Sequence, residues 1–433
     1  MPSLKDEIEL EIYVQNSWHK LGVVWISDPL KSTYSNSTFE YDMDYFENFA
    51  EYESTKGLYS ASVNLELNMA KEHYSHWPGF LLDLMPQGAA RKIVCEREQI
   101  VNSQENDFVI LKKGAVNPIG NIRVKNSYSL FEKENTVGFY QQDLIDKNEE
   151  FLEHAQKHGA LIVGTSGAQG ESPKFLLGKG RDGKWYCDGS LKDKNIEESF
   201  LVKFPRGKSD DDRLILKAEE KYMKIATQLG IQTNPAITFN NNMLFIQRFD
   251  RKNENNFTTR FGFESVSSCL EHYQFGQSEK NENIARIIFE NSSEKIEDTL
   301  EYVKRDFLNI VMGNTDNHAR NTALIKHSDK KIRLSPLYDF APMVMDPEMI
   351  PRCCRWDEEN SYIPNFHYIC EFLGNLGIPK NKLTLFFTQL EKKYSDLKKI
   401  VKNIQLEEDV VNKAMRKYEP FLEKLKIFNG QSR

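Results

Sequence analysis

Apolar and polar positions alternate near the start of the chain, as in a strand with one buried face. Residues 8–14 show this pattern, and similar runs at 21–26 and 57–65 predict further strands. A longer stretch at 80–100 has helical character and contains a proline near its beginning. We therefore expect a mixed α+β module that ends near residue 125.

Short strand-like runs dominate residues 126–254. They are separated by turn signals, among them an Asp-Gly pair and three consecutive asparagines, which suit hairpins. One helix is predicted among them, because the apolar residues between 222 and 229 follow helical spacing and a glycine comes next as a cap. The strand-like runs are 161–163, 174–177, 184–187, 200–204, 236–239 and 243–246.

The pattern changes to helix after Arg251. Residues 300–311 place apolar side chains along one helical face that ends at Gly313, and residues 381–428 are rich in Lys and Glu with helical periodicity. We therefore predict a helical last domain. The expected domains are 1–125, 126–254 and 255–433.

The composition of the 433-residue chain, 39% hydrophobic and 12% aromatic, is typical of a globular protein. No apolar run is long enough to span a bilayer, and the N-terminus lacks the features of a signal peptide. We therefore expect a cytoplasmic protein without membrane contact. Since 57 Lys and Arg face 64 Asp and Glu, the net charge of −7 argues against sequence-independent nucleic-acid binding by the whole chain.

The six cysteines are scattered and include no Cys-x-x-Cys pair, which predicts reduced thiols and no disulfide framework. A zinc site formed by Cys353, Cys354 and His367 is disfavoured, because adjacent cysteines rarely reach one metal ion together.

A polar loop between two apolar elements, residues 313–321, carries the residues best suited to catalysis. Four residues separate Asp316 from Asn321, as in the protein-kinase catalytic loop, where the Asp serves the attacking hydroxyl and the Asn holds magnesium. Asp339 follows a short apolar run and could bind the metal that bridges the nucleotide phosphates. Two such oxygen ligands suit Mg²⁺, which retains several water molecules.

Each of these residues also has a structural alternative. Asp316 could cap a turn, Asn321 could form an Asx-turn, and Asp339 could begin the next loop. For His318, a structural hydrogen bond and a contact with phosphate are equally open. The Asp-x₄-Asn spacing occurs often by chance, and it gains weight only from Asp339, a lysine and a Gly-rich loop in kinase order.

The lysine is Lys203, which lies within an apolar run and needs a partner if it is buried. A nucleotide phosphate together with a carboxylate would provide one. Glu219, near the start of the following helix, is the expected ion-pair partner, and Glu220 is the alternative. A strand-edge position with the ammonium group in water stays open.

The Gly-rich segment, residues 164–170, lies between two strand-like runs. Small residues let backbone N–H groups approach phosphate oxygens closely. The segment does not match the G-x-x-x-x-G-K-[ST] pattern of Walker-type NTPases. Taken alone, it is more typical of a flexible hairpin loop than of a phosphate cradle.

Together and in this order, the motifs resemble the HipA family, bacterial Ser/Thr protein kinases that act as toxins of toxin–antitoxin systems. Residues 313–321 resemble the family's G-x-x-D-x-H-x-x-N loop. The other matching segments are 80–86 and 114–124 of a small N-terminal module, a nucleotide-binding Lys strand at 202–205, an E-R-F-D-R-like hinge at 247–251 and a P-x-Y-D segment at 335–339.

The resemblance implies an α+β, protein-kinase-like fold with a β-rich N-lobe, a mostly helical C-lobe and a small N-terminal α+β module. It implies ATP and Mg²⁺ as cofactors, Asp316 as the catalytic base, and Asn321 and Asp339 as metal ligands. The residues expected to contact ATP are Thr165, Ser166, Gly167, Ala168, Lys203, Gln247, Phe249 and His318.

Two departures from the family pattern concern the Gly-rich segment. The family loop usually runs G-[AV]-Q-[EP]-K, whereas the corresponding Lys174 lies three residues later in this chain. Many members also phosphorylate a Ser at the start of the loop, where this chain has Gly164. Ser166 and Thr165 remain as expected autophosphorylation sites, and the added charge would repel ATP.

We therefore expect a protein kinase toxin that phosphorylates a host translation component such as an aminoacyl-tRNA synthetase. Its expected partner is a HipB-like helix-turn-helix antitoxin, through which DNA would mainly be contacted. Two alternatives are a small-molecule phosphotransferase of the aminoglycoside-kinase kind and a non-catalytic scaffold for a DNA-binding partner. The complete set of Lys203, Asp316, Asn321 and Asp339 argues against the scaffold.

Overall fold

The structure is a computed structural model that describes residues 6–53, 55–128, 136–146, 150–151, 154–155, 161–162, 174–205, 209–234 and 236–431. The chain forms two compact units. The first unit comprises Met1–Arg206, Phe245–Phe275 and Ala323–Ile332, and the second comprises Gly207–Leu244, Gly276–Thr322 and Arg333–Arg433. The domain boundaries near residues 125 and 254 stay predictions.

In chain order, the strands are β1 (Glu7–Val14), β2 (Ser17–Ile26), β3 (Ser37–Tyr41), β4 (Glu72–Tyr74), β5 (Ile122–Val124), β6 (Leu161–Ile162), β7 (Lys174–Gly180), β8 (Trp185–Cys187), β9 (Ile196–Lys203), β10 (Ile237–Asn240), β11 (Met243–Gln247), β12 (Arg251–Glu254), β13 (Phe257–Arg260), β14 (Gly262–Ser265), β15 (Glu279–Lys280), β16 (Ala323–Lys326), β17 (Ile332–Leu334), β18 (Cys354–Arg355), β19 (Glu359–Asn360) and β20 (Ile363–Pro364). The α-helices are α1 (Met43–Phe49), α2 (Gly79–Leu84), α3 (Gly88–Glu98), α4 (Asp107–Gly114), α5 (Lys125–Tyr128), α6 (Gln141–Ile145), α7 (Asp210–Gln228), α8 (Val266–Cys269), α9 (Asn281–Asn291), α10 (Lys295–Val311), α11 (Phe366–Asn375), α12 (Lys380–Ser395), α13 (Leu397–Ile404), α14 (Glu408–Ala414) and α15 (Tyr418–Gln431).

An antiparallel sheet in the order β4-β3-β2-β1-β5 organises the N-terminal part of the first unit. The alternation predicted for β1 is confirmed, because Ile8, Leu10 and Ile12 are at most 1% exposed whereas their polar neighbours are more exposed. The predicted helical stretch forms α2 and α3. The chain breaks between them at Pro86, since proline cannot continue a helix.

The strand expected at 57–65 is wrong, because these residues form turns and bends. They are nevertheless largely buried, and Val63 is fully so. Their backbone groups bond to carboxylates instead of a neighbouring strand. Val63 N donates to Glu264 Oε2 at 2.7 Å, and Tyr59 N donates to Glu53 Oε1 at 3.3 Å. The apolar run thus predicted burial correctly and strand pairing wrongly.

A second sheet contains β9 between β7 and β11, with β6 and β8 both paired to β7. The predicted Asp-Gly turn is confirmed, since Gly183 has a φ of +80° and donates its N–H to Gly180 O at 2.9 Å. The three-asparagine turn is confirmed as well. Asn241 and Asn242 have φ values of +49° and +58°, as a type I′ turn requires.

The change to helix predicted directly after Arg251 is wrong, because β12, β13 and β14 come first. β12 and β13 form a hairpin in which Glu254 lies opposite Phe257. Asn255 and Asn256 close it with φ values of +50° and +67°. This asparagine pair is a hairpin signal that the sequence carries and our prediction missed.

Helices dominate the second unit, as predicted. α7 begins with a capping box in which Ser209 Oγ accepts from Asp212 N at 3.1 Å, and Gly230 follows its end with a φ of +73°. The tail predicted to be helical forms α12 to α15, and its Phe421 packs edge-on against Phe366 of α11. Across the described residues, no helix has both the length and the apolar character needed to cross a membrane.

Candidate functional site

The junction between α10 and the loop at residues 313–321 is fixed by a hydrogen bond and by a glycine. Tyr222 of α7 donates its hydroxyl to Met312 O at 2.8 Å. Gly313 then turns the chain with a φ of +65°, and a Cβ at this position would lie 2.8 Å from Ala414 O. Because only glycine fits both the φ and the space, the junction between helix and loop is fixed.

Within the loop, three predicted site residues lie together. Asn321 Nδ2 donates to Asp316 O at 2.9 Å, and Asn321 N donates to His318 O at 2.9 Å. His318 Nε2 lies 3.3 Å from Asp316 Oδ1. The loop therefore holds a carboxylate, an imidazole and an amide side by side.

His318 is 7% exposed, and within the described residues neither of its ring nitrogens makes a hydrogen bond. The contact between His318 and Asp316 does not have the geometry of a hydrogen bond. Burial lowers the pKa of His318. The carboxylates of Asp316 and Asp339 raise it, but by less than burial lowers it. The imidazole is therefore neutral at pH 7. The structural hydrogen bond considered for His318 is not formed among these residues, and buried polar atoms without partners favour a ligand.

Asp339 acts on the same imidazole, since its charge is among those that shift the pKa of His318. It has a φ of +51°, a conformation that is uncommon outside glycine and is found at functional sites. The preceding residue ties it to the loop, because Tyr338 donates its hydroxyl to Arg320 O at 2.7 Å. We refer to Asp316, His318 and Asp339 as one group, because Asp316 contacts His318 and the charge of Asp339 acts on the same imidazole.

Arg305 of α10 supports this arrangement, and sequence reasoning missed it. Its Nη1 donates to Ser335 O at 2.7 Å, and its Nε donates to Glu301 Oε1 at 3.2 Å. Glu301 Oε1 also accepts from Gln232 N at 2.8 Å. A Glu and an Arg four residues apart on the buried face of a helix were the signal in the sequence, since buried charges are normally paired.

Asp306 and Asn317 fix the segment that follows Asp339, and they were missed as well. Asp306 is 2% exposed and accepts from Arg352 Nη2 at 2.9 Å and from Trp356 Nε1 at 2.9 Å. Asn317 Nδ2 donates to Cys354 O at 2.7 Å. Their partners lie far away in the sequence, so no local pattern predicts these bonds.

Asn321 and Asp339, the expected metal ligands, offer donors that fit Mg²⁺. Asn321 donates its amide nitrogen to Asp316 O, so its amide oxygen is the atom that could bind a cation. Asp339 offers a carboxylate, and two hard oxygen donors suit Mg²⁺ with water and phosphate in the remaining positions. In the described part of the chain, no group of three or more His, Cys, Asp or Glu could hold a metal, so a cation here would depend on phosphate oxygens.

Lys203, the expected phosphate contact, lies at the end of β9 in the first unit. It is 4% exposed, which confirms burial and contradicts the alternative with the ammonium group in water. Lys174 of β7 lies directly opposite in the sheet register.

The other expected ATP contacts are not tested by this geometry. Gln247 ends β11, and Phe249 lies two residues later with its ring centroid 6.4 Å from that of Phe263. Their backbone contacts with adenine stay predictions. Thr165, Ser166, Gly167 and Ala168, including both autophosphorylation candidates, lie outside the described residues.

Glu219 is buried in the middle of α7, which corrects its expected place near the start of that helix. Lys203 and Glu219 belong to different units, and their ion pair stays a prediction. The alternative, Glu220, lies 2.9 Å from Lys224 Nζ one helical turn away.

An arginine cluster, consisting of Arg248, Asp250, Arg251 and Asp188, was also missed. Arg248 donates Nε to Asp250 Oδ1 at 2.8 Å and Nη1 to Asp188 Oδ2 at 2.8 Å. Arg251 Nη1 donates to Asp250 Oδ2 at 2.8 Å. Burial alone would raise the pKa of Asp250, but the charges of Arg248 and Arg251 hold it well below its usual value. The cluster makes the hinge motif a structural element of the first unit.

Comparison with known proteins identifies the family. The model of the HipA-like C-terminal domain matches residues 166–410, more than half of the chain. The chain belongs to the HipA family. The matched range includes Lys203, Asp316, Asn321 and Asp339. No curated protein sequence matches the chain significantly.

The structure of HipA from the Shewanella oneidensis MR-1 complex of HipA, HipB and operator DNA has a TM-score of 0.63 and 14% identity, covering 98% of this chain and 97% of that one. This likeness confirms the predicted α+β fold of the HipA type. The Helicobacter pylori proinflammatory kinase CtkA covers 62% of this chain and 90% of its own at 11% identity, but its TM-score of 0.33 is too low to support an argument.

Proposed function

We propose that this HipA-family chain is an ATP- and Mg²⁺-dependent Ser/Thr protein kinase. The observation that carries the proposal is the group formed by Asp316, His318 and Asp339. Asp316 lies 3.3 Å from a buried, neutral imidazole that has no hydrogen bond within the described residues, and the charge of Asp339 acts on the same ring. Without a ligand, a site of this kind costs folding free energy, because buried polar atoms normally make hydrogen bonds.

In this proposal Asp316 accepts the proton of the attacking hydroxyl group. The bond from Asn321 Nδ2 to Asp316 O positions the backbone that carries the carboxylate before the substrate arrives. Asn321 and Asp339 hold Mg²⁺, which when bound neutralises charge on the phosphates. His318, being neutral, donates an N–H to a phosphate oxygen instead of attracting it by charge.

Lys203 is proposed to contact the ATP phosphates, and Gln247 and Phe249 to contact adenine through their backbones. Support for Lys203 comes from its burial at the end of β9. Autophosphorylation on Ser166 or Thr165 is proposed from their place in the Gly-rich segment, where two added charges would oppose ATP binding.

We also propose a toxin role in the cytoplasm, with a HipB-like antitoxin as partner and DNA contacted mainly through it. The support is that the Shewanella protein of similar fold was solved in a complex with HipB and operator DNA. A translation component such as an aminoacyl-tRNA synthetase is the proposed substrate class. A short helix-turn-helix reading frame beside the gene, and co-purification of its product, would test the partnership.

Incubation of the purified chain with radiolabelled ATP and Mg²⁺ tests the kinase proposal. Labelled protein, lost in Asp316→Asn and Asp339→Asn and kept in the exposed matched control Asp409→Asn, is the expected result. Label on an added aminoglycoside and none on protein would favour the small-molecule phosphotransferase. If ATP–Mg²⁺ failed to raise the melting temperature, the non-catalytic scaffold would be the better interpretation.

A further inference from the structure

Two adjacent cysteines lie against the candidate catalytic loop. Cys354 is fully buried in β18, whereas Cys353 is partly exposed. Both contact Asn317, the residue directly after Asp316. Asn317 Oδ1 accepts from Cys353 N at 3.1 Å and from Cys354 N at 3.3 Å, and Asn317 Nδ2 donates to Cys354 O at 2.7 Å.

These three bonds form a clamp, in which the Asn317 side chain accepts from both N–H groups and donates to the Cys354 carbonyl. The same backbone is also bound by β15, because Glu279 N donates to Cys353 O at 3.4 Å and β15 pairs with β18. The position of the loop at Asn317 is therefore coupled to the conformation of the peptide that joins the two cysteines.

We propose that Cys353 and Cys354 form a peroxide-sensitive vicinal dithiol whose oxidation releases the Asn317 clamp and displaces Asp316. The effect on activity rests on the proposed kinase function, whereas the oxidation itself does not. No other pair of cysteines in this chain is adjacent in sequence.

The chemistry balances with hydrogen peroxide as the oxidant. The Cys353 thiolate attacks one peroxide oxygen, the O–O bond breaks, and hydroxide leaves and takes up a proton to give water, with Cys353 as a sulfenic acid. The Cys354 sulfur then attacks the Cys353 sulfur, an S–S bond forms, and the sulfenic oxygen leaves as a second water molecule. Two thiols are oxidised by two electrons in total, and one peroxide is reduced.

The local environment favours Cys353 as the first residue to react. A hydrogen bond from the Cys354 thiol lowers the pKa of Cys353 against the opposing effects of burial and the Asp316 charge. The same interaction, with burial, raises the pKa of Cys354. The partly exposed thiol is thus the more easily ionised, and thiolates are the reactive form.

Ring closure between neighbours must distort the peptide between them. Adjacent trans Cα atoms lie about 3.8 Å apart, whereas disulfides prefer about 5.5–6 Å. The distorted peptide cannot keep both N–H groups on Asn317 Oδ1. Strain also makes such a disulfide easy to reduce, which suits a reversible modification and not a structural bridge.

The test treats the purified full-length chain with hydrogen peroxide and then with dithiothreitol. Peptide mass spectrometry should show that the fragment after Arg352 loses the mass of two hydrogen atoms, and hydrogen exchange at residues 314–318 should accelerate. Phosphoryl transfer should fall about tenfold or more, because small misplacements of a catalytic group cost about 10²-fold. Dithiothreitol should restore all three readouts.

Cys353→Ser and Cys354→Ala should each abolish the mass loss and the change in exchange, and either variant alone suffices if the other fails to fold. Cys370→Ser, which removes a partly exposed thiol from α11, is the matched control and should respond like the unmodified chain. Intact thiols at 353 and 354 after peroxide, or a disulfide that leaves exchange at 314–318 unchanged, would overturn the proposal. A disulfide with faster exchange in a chain that transfers no phosphate in either state would instead refute only the kinase function.

Discussion

Two buried polar groups in this protein differ in how their charges are satisfied. In the arginine cluster of the first unit, the carboxylates of Asp250 and Asp188 meet guanidinium groups at 2.6–2.8 Å, and Asp250 also accepts from Gly120 N at 2.7 Å. In the candidate loop of the second unit, His318 is equally buried, yet its ring makes no hydrogen bond within the described residues.

The difference separates structural from functional polar residues. A buried charge with all its bonds made stabilises one conformation, and removing one partner leaves the others unpaired. A buried polar atom without a partner costs free energy in the folded state, and a ligand that satisfies it recovers this energy. The two groups should therefore respond in opposite ways to the same kind of substitution.

Asp316→Asn should give the largest effect, a loss of about 10²–10⁴-fold in phosphoryl transfer, because the amide cannot accept the proton of the attacking hydroxyl. The melting temperature should change little, since Asn keeps the size of the side chain and the Asn321 bond goes to the backbone oxygen of residue 316. The measurements are steady-state transfer from ATP and thermal unfolding. Asp409→Asn is the matched control, and a variant that retains normal transfer would remove Asp316 from the catalytic role.

Asp250→Asn should show the reverse, a loss of about 3–5 kcal/mol in the free energy of unfolding, because it leaves two arginines buried beside a neutral group. Asn can still accept from Gly120 N, so the loss reports the charge and not the backbone bond. Urea unfolding of Asp250→Asn and of the control Asp409→Asn measures this loss of unfolding free energy. A loss below about 1 kcal/mol, typical of exposed pairs, would show that the cluster is not the structural element described here.

The sequence predicted the loop better than the cluster, and the reason is physical. Asp316, Asn321 and Asp339 are recognisable because the proposed phosphoryl transfer would demand fixed residue types at short intervals. The partners of Arg248 and Arg251 include Asp188 and Gly120, which lie far away in the chain, so local spacing carries no trace of them.

Secondary structure was likewise mostly predicted where its signal is local in sequence and missed where its partners are remote. The period of β1 and the Asp-Gly turn before β8 are local signals, and both were predicted. The run at 57–65 predicts a strand wrongly, because its apolar residues indicate only burial and its backbone partner Glu264 is remote in sequence. The hairpin at Asn255 and Asn256 has a local signal, because paired asparagines favour the positive φ values that its turn requires.

Glu271→Gln sharpens the comparison, because Glu271 is intermediate between the fully bonded Asp250 and the unbonded His318. Among the described residues, its carboxylate accepts from Gly79 N, with Oε2 at 2.9 Å. Burial raises its pKa from 4.5 to about 7, although the Gly79 bond opposes this shift. The folded state therefore binds the proton more tightly, and stability is highest below pH 4.5 and is lost as the pH rises through about 7. Gln keeps an acceptor and removes the charge, so it should stabilise the chain by on the order of 3 kcal/mol at pH 8.

Urea unfolding at pH 4 and pH 8 measures this gain. The gain should vanish at pH 4, where both the folded and the unfolded forms of the original residue are protonated. An equal gain at both pH values would mean that packing, and not ionisation, is responsible.

His318→Gln should give the smallest effect and is the most direct test of the unsatisfied imidazole. Burial lowers the folded-state pKa of His318 below 6.5, so the unfolded chain binds a proton that the folded chain resists. Its contribution to stability is therefore complete above pH 6.5 and falls as the pH falls towards the folded-state pKa, by at most about 1.4 kcal/mol per pH unit. The Gln variant should lack this slope when unfolding is measured between pH 5 and pH 8. Asp316→Asn should steepen it, because the carboxylate opposes the lowered pKa, and parallel profiles for all three chains would show that His318 does not titrate as a buried, neutral group.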